Sequence, residues 1–176
     1  IKFIQRVILD GDKFLVVHSD RLSLFDKDGK YQYDIGEKGE EEGEYFRMGG
    51  VVLRNDTLFV VDGNYDFTLY NWQGEYLGKW FQPKIRHTMN FFLVPNTDLF
   101  LGHVNNFTGQ KKVRFVFFRD TTAIKTIPVT EKLEPASPMV VYSIPTEMKA
   151  FDGRVPAFKE VFNDTIYQVD ESLNLV

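Results

Sequence analysis

Cysteine is absent from the 176-residue chain, which excludes disulfide staples, thiolate metal sites and a cysteine nucleophile. The same absence suits either side of a bacterial membrane and leaves the compartment open. Histidine is scarce. His18, His87 and His103 are separated by 69 and 16 positions, so none forms the local ligand pair that zinc sites favour. Positive charge is not in excess: 21 Lys and Arg against 25 Asp and Glu leave a net −4, too weak a cationic field to neutralise a nucleic-acid backbone. No run of about 18 apolar residues reads as a membrane-spanning helix. Nor does a charged segment followed by an apolar one open the chain. The first residue is Ile1 rather than Met, from which a trimmed or processed piece is expected, with any leader lying outside it. Helical periodicity is never sustained over about ten residues, so almost no helix is expected, with at most one turn at Thr146 to Ala150.

What is abundant is aromatic: 17 Phe and 8 Tyr among 15% aromatic residues, a composition that fits pleated, half-buried sheet. These residues recur. Asn55-Asp56-Thr57-Leu58-Phe59-Val60-Val61-Asp62 and Asn163-Asp164-Thr165-Ile166-Tyr167-Gln168-Val169-Asp170 share Asn, Asp, Thr, Val and Asp at matching places. Asn-Asp turns the chain by bonding its own backbone, and the alternating run after it reads as a short strand. Weaker copies start at Asp12 and Asn96, placing Phe14, Phe59, Phe100 and Tyr167 at spacings of 45, 41 and 67. A second ladder, Leu24-Phe25-Asp26-Lys27-Asp28-Gly29-Lys30-Tyr31 and Leu69-Tyr70-Asn71-Trp72-Gln73-Gly74-Glu75-Tyr76, repeats at 45. That period is one four-stranded blade of a propeller, and 67 reads as a blade with an insertion.

The expected architecture is all-β, a single β-propeller domain over 1–176 of four-stranded antiparallel blades. Blade one covers 1–36, blade two 45–81, blade three 88–129 and an incomplete blade four 138–176. Blade four is expected to begin near 138, resume at 156–161 and 164–169, and end in a strand from Leu173. Glu37 to Glu44 reads as a solvated interblade loop, with Gly36, Gly39 and Gly43 supplying backbone freedom.

Gly36-x-x-Gly39-x-x-x-Gly43-Glu44-Tyr45, the strand at Val51 to Leu53, Leu58-Phe59-Val60-Val61-Asp62 and Leu69-Tyr70-Asn71-x-x-Gly74 together resemble the NHL repeat. More narrowly, they are similar to six-bladed propeller proteins exported by gut Bacteroidetes, often as lipoproteins. The resemblance is good over 1–81, weak over 82–160, and returns at 161–176. It implies an incomplete six-bladed ring, with self-association through open blade edges, and a periplasmic or cell-surface location in a Gram-negative bacterium. Glu41-Glu42 stands where that family has Gly-Pro, which implies a more acidic and less rigid loop.

Loops on a rigid scaffold carry function, and in propellers the interblade loops share a face with those between second and third strands. That rule gathers His18, Asp62, Asn64, Tyr65, Arg86, His87 and His103 into an expected ligand-binding face. The reading is a non-enzymatic binding or scaffold module for a peptide, glycan or partner protein. No nucleic acid and no cofactor are expected, calcium or another divalent ion at the channel being the alternative. The competing function is a metal-dependent hydrolase or lyase of the gluconolactonase-like propeller type. No Gly-x-Ser-x-Gly elbow supports nucleophilic catalysis, and the carboxylates Asp26, Asp28 and Glu40 to Glu44 stand where charge ordinarily serves solvation. Trp72 and Trp80 are candidates for stacking on a sugar.

Overall fold

Short strands form wherever an alternating apolar run is bounded by turn residues. The computed structural model describes residues 4–62, 66–81, 88–94, 96–104, 106, 111–129, 145–149, 157–160, 164–170 and 172–176. No helix occurs among them. The chain divides into two compact units, Ile1–Phe81 and Gln82–Val176.

In the first unit, sheet one has the order β1 (Ile4–Asp10), β2 (Lys13–His18), β3 (Leu22–Asp26), β4 (Tyr31–Ile35). A short parallel pair follows, β5 (Glu37–Lys38) and β6 (Glu44–Tyr45). Sheet two is β7 (Gly50–Arg54), β8 (Thr57–Val61), β9 (Phe67–Asn71) and β10 (Tyr76–Trp80), again paired in sequence order. Because side chains alternate across a strand, each sheet has two faces. Leu15, Val17, Leu22, Leu24 and Ile35 of sheet one share one buried cluster with Val51, Leu58, Val60 and Tyr70 of sheet two. These are called the trailing face of sheet one and the leading face of sheet two.

The second unit repeats the plan. Sheet three is β11 (Thr88–Leu93), β12 (Phe100–Val104), β13 (Val113–Arg119) and β14 (Thr122–Pro128). Sheet four is β15 (Pro145–Lys149), β16 (Ala157–Glu160) and β17 (Ile166–Gln168), extended by a bridge between Val169 and Leu175. Leu101, Phe115 and Phe117 of sheet three cluster with Val169, and Tyr167 and Leu175 pack at its margin.

One turn sets the register of three sheets. Asp26 Oδ1 accepts the N–H groups of Asp28 (3.0 Å) and Lys30 (2.9 Å), Asn71 Oδ1 those of Gln73 (3.0 Å) and Glu75 (2.9 Å), and Asp170 Oδ1 those of Ser172 (2.9 Å) and Asn174 (2.8 Å). Such side-chain to backbone bonds close the hairpin locally. The fourth residue of each turn is left-handed: Gly29 at φ 77, Gly74 at φ 84 and Leu173 at φ 61.

Several expectations are corrected by this register. The Asn55-Asp56 turn joins first and second strands, whereas Asp164 and Thr165 precede the third strand of sheet four. The two similar segments therefore occupy different strand positions. Phe14 and Phe59 are not equivalent either. Lys13 pairs with Asp26 but Thr57 with Asn71, so the connection after β8 is one residue longer, and a slip of one reverses the face. Phe14 matches Leu58 on the leading face, and Phe59 lies on the trailing face. Of the stretch expected to make at most a helical turn, Thr146 to Lys149 lie in strand β15, and Ala150 lies outside the described residues. Pro145 fits there because proline, which has no N–H to donate, is tolerated at the first residue of a strand. The expected start of blade four near 138 lies outside the described residues.

Candidate functional site

The most built feature of the first unit is the acidic segment from Gly36 to Tyr45. Glu37 and Lys38 pair with Glu44 and Tyr45 as parallel strands. Gly39 N–H donates to Tyr45 O (3.2 Å), and Glu44 Oε2 accepts the N–H of Glu41 (2.9 Å). Three bonds then tie the segment to its surroundings. Tyr70 O–H donates to Gly43 O (2.7 Å), Tyr45 O–H to Asp20 O (3.4 Å), and Phe46 N–H to Asp62 Oδ1 (3.2 Å). The looser loop implied by Glu41-Glu42 is thus held by buried phenols and a buried carboxylate rather than by proline.

Gly36 has to be glycine. Its φ is +66, and a Cβ there would meet the Tyr70 ring at 2.6 Å, so the chain passes the buried phenol at a distance no side chain tolerates.

Two hollows flank this segment. One, of about 360 Å³, is lined by Gly39, Glu40, Glu44, Phe46, Asp62 and Lys79. The other, of about 480 Å³, is lined by Asp20, Arg21, Asp34, Glu37, Lys38 and Tyr45, with Gly36 and Gly74. Their side chains are six carboxylates against Arg21, Lys38 and Lys79. Two ion pairs lie inside them: Lys79 Nζ is 3.8 Å from Asp62 Oδ2, and Arg21 Nη1 is 3.8 Å from Asp34 Oδ2. Asp34 also accepts a 2.7 Å bond from Ser23 O–H.

The negative field shows in the phenols. Burial, followed by Asp34, Asp20 and Glu37, pushes Tyr45 up to about 12, with Arg21 opposing. Burial also raises Tyr70, assisted by Tyr45, Tyr76, Asp62 and Glu44. Both effects disfavour a negative tyrosinate.

Of the described residues expected on the ligand face, Asp62 alone lines one of these two hollows, and it is 4% exposed. His18 ends β2, half-buried, with a buried Nδ1 that makes no hydrogen bond. His103 does not stand in a loop. It lies inside β12, fully buried, its ring 5.0 Å from that of Phe115. Asn64, Tyr65, Arg86 and His87 lie outside the described residues. Trp72 is 4% exposed, with Lys13 Nζ 5.6 Å from its ring centroid, which removes it from any sugar-stacking surface. Trp80 packs edge-on to Phe59 at 5.0 Å.

Sequence reasoning passed over Asp34, Lys79 and Phe46, which sit in or beside strands and carry no local signal. The acidic run was visible, but only the fold shows that it is braced. Among the described residues, no group of three or more His, Asp or Glu side chains is arranged to hold a metal ion, and no helix is long and apolar enough to cross a membrane.

Residues 1–175 match one family model. The chain belongs to DUF4934, a domain of unknown function. No curated protein matches it in sequence. Among solved structures, DUF4934 as represented here is similar to a candidate exported protein from Bacteroides fragilis, at 19% identity and TM-score 0.80, covering 100% of this chain and 50% of that one. It is also similar to BamB from Moraxella catarrhalis, at 11% identity and TM-score 0.52, covering 87% of this chain and 39% of that one. Hsv2p from Kluyveromyces lactis gives 13% identity and TM-score 0.53, with 99% and 52% covered. The chain thus spans about half the length of the structures it resembles. At these identities the likeness speaks for fold, and the fold is that of a β-propeller.

Proposed function

We propose that this DUF4934 chain is a non-enzymatic binding module that takes a basic peptide or a basic segment of a protein on the loop face of its first unit. The observation behind this reading is the braced Gly36 to Tyr45 segment, with a hollow on either side and six carboxylates against three cations lining them. Loops fixed on a rigid scaffold favour binding because little ordering remains to be done on association. Exposed Phe46 adds an apolar contact beside the Asp62 hollow. His18, Asn64, Tyr65, Arg86, His87 and His103 are not needed for this reading; Asp62 is.

Fluorescence anisotropy with a labelled Lys/Arg-rich peptide tests it, with acidic peptide and neutral oligosaccharide as comparators. Binding that weakens as salt rises is expected. Glu37→Lys and Glu40→Lys should each weaken it about fivefold, the scale of about 1 kcal/mol per exposed charge pair. Equal binding of the acidic peptide, or none of the basic one at low salt, would reject the reading. Metal analysis of the purified protein addresses the competing hydrolase or lyase: a stoichiometric, tightly held divalent ion would favour it.

We further propose that the sheets are NHL-type blades and that the protein is exported, as a periplasmic or cell-surface protein. The support is the repeat at Gly36 to Gly74 and the similarity to the Bacteroides fragilis protein. Cell fractionation with an antibody checks the second point, and a wholly cytosolic signal would refute it.

A further inference from the structure

A buried carboxylate keeps its charge where cations or donors face it. Asp62, the residue after β8, is 4% exposed and lines the hollow of about 360 Å³. Its Oδ1 accepts the N–H of Phe46 (3.2 Å), which ties the rim of the hollow to this side chain. Its Oδ2 has Lys79 Nζ at 3.8 Å, about 1 Å beyond a charge-assisted hydrogen bond. Lys79 stands on the outer strand β10, opposite Thr68, and its side chain is 36% exposed. The ammonium therefore offsets the Asp62 charge from the end of a flexible, half-solvated stem.

The walls of this hollow add charge and an aromatic ring. Glu40 and Glu44 line it with Asp62, three carboxylates to the one ammonium of Lys79. Phe46 also lines it, 53% exposed, with its backbone held by Asp62. A planar guanidinium lays its face on an aromatic ring while its fork of N–H groups reaches a carboxylate, whereas an ammonium is a strongly hydrated point charge. The second hollow lacks such a ring. Its aromatic lining is Tyr45, which is 1% exposed and has its phenol on Asp20 O.

We infer, resting on the basic-peptide reading above, that the Asp62 hollow seats one arginine side chain of the ligand and that Lys79 is a built-in competitor for that seat. The guanidinium stacks on Phe46 and pairs with Asp62, and the Lys79 ammonium moves out into water. In the unbound chain Lys79 compensates the buried carboxylate; toward any cationic ligand it lowers affinity. Selectivity follows from the exchange. A ligand lysine replaces one ammonium by another, while a ligand arginine adds the stacked face and a second N–H bond.

Anisotropy titrations with a labelled Lys-rich peptide, and with a copy in which one central Lys is replaced by Arg, test this. The Arg copy should bind about fivefold more tightly, the scale of a guanidinium on a partly exposed ring. Phe46→Ala should erase that preference and leave the Lys-rich peptide's affinity unchanged. Glu37→Lys, which alters the other hollow, should weaken both peptides alike and keep the preference. Lys79→Met should tighten both peptides about fivefold, the opposite of what loss of a merely structural lysine does. Far-UV circular dichroism checks that each variant is folded; Phe46 is exposed, so Phe46→Ala decides the matter even if Lys79→Met does not fold. Equal binding of the two peptides, a preference that survives Phe46→Ala, or a folded Lys79→Met variant that binds more weakly than the parent would overturn the arginine seat and leave the basic-peptide reading in place. Absence of binding by both peptides at low salt would overturn the two together.

Discussion

In the first unit Leu15, Val17, Leu22 and Leu24 meet Val51, Leu58, Val60 and Tyr70, whereas in the second Leu101, Phe115 and Phe117 meet Val169. The side chains differ and the positions agree. The same holds at the rim of each contact. Tyr33 on β4 donates its O–H to Trp72 O (2.9 Å) in the turn of sheet two, and Lys125 on β14 donates to Ser172 O (3.0 Å) and Asn174 Oδ1 (2.7 Å) in the turn of sheet four. Tyr33 pairs with Leu24 and Lys125 with Phe117, each an inward residue of the third strand. What repeats is therefore a latch from the outer strand to the next hairpin, made by a phenol in one unit and an ammonium in the other. Packing geometry recurs while chemistry drifts, as expected where volume and patterning are the constraint.

The braced acidic segment is the feature of the first unit with the largest expected effect. Gly36→Ala should cost it about 2–4 kcal/mol, from the left-handed backbone and the collision with Tyr70. Denaturant unfolding reads this loss, and an unchanged midpoint would mean that the Gly36 to Tyr45 brace is not formed. The latches should be worth less. Tyr33→Phe and Lys125→Met are each expected to lose about 0.5–1 kcal/mol; a zero effect of one alone would break the equivalence. Smallest is the turn. Leu173→Gly relieves the left-handed backbone that leucine resists but removes a side chain packed on the cluster around Val169, so the two effects should offset to within about 0.5 kcal/mol.

That turn also gives sheet four a pH dependence that the matching turn of sheet two lacks. The N–H and side-chain bonds from Asn174 hold the Asp170 carboxyl below its ordinary value. A depressed carboxyl contributes stability above its unfolded value near 3.8, and the contribution is lost as pH falls through the folded value. Asn71, its counterpart in sheet two, is a neutral amide and carries no such dependence. Asp170→Asn should therefore flatten the acid limb of the stability profile below about pH 4, measured by thermal melts, while Asn71→Asp should add one.

Much of the strand pattern was legible because turn chemistry is local. Asp26 to Gly29 and Asn71 to Gly74 announce hairpins, and strands 13–18 and 57–61 follow from alternation between such turns. The third copy was hidden by Leu173 standing where glycine stands twice. The register between Phe14 and Phe59 was hidden by one extra residue after β8, a length difference that sequence similarity does not weigh. The site was less legible still. Asp62 announced itself at the end of an apolar run, but the phenols that brace the acidic segment, Tyr45 and Tyr70, look in sequence like any strand aromatics. Their role depends on which sheet lies beside them, a long-range fact.

The central claim is that within each unit the two sheets pack trailing face on leading face, and a double-mutant cycle between Leu15→Ala and Leu58→Ala tests it most directly. Leu15 lies on the trailing face of sheet one and Leu58 on the leading face of sheet two. Their losses should couple by at least about 0.5 kcal/mol, while Leu15→Ala combined with Val52→Ala, on the far face of sheet two, should add within about that amount. Additive losses for Leu15 and Leu58, with coupling to Val52 instead, would contradict the account.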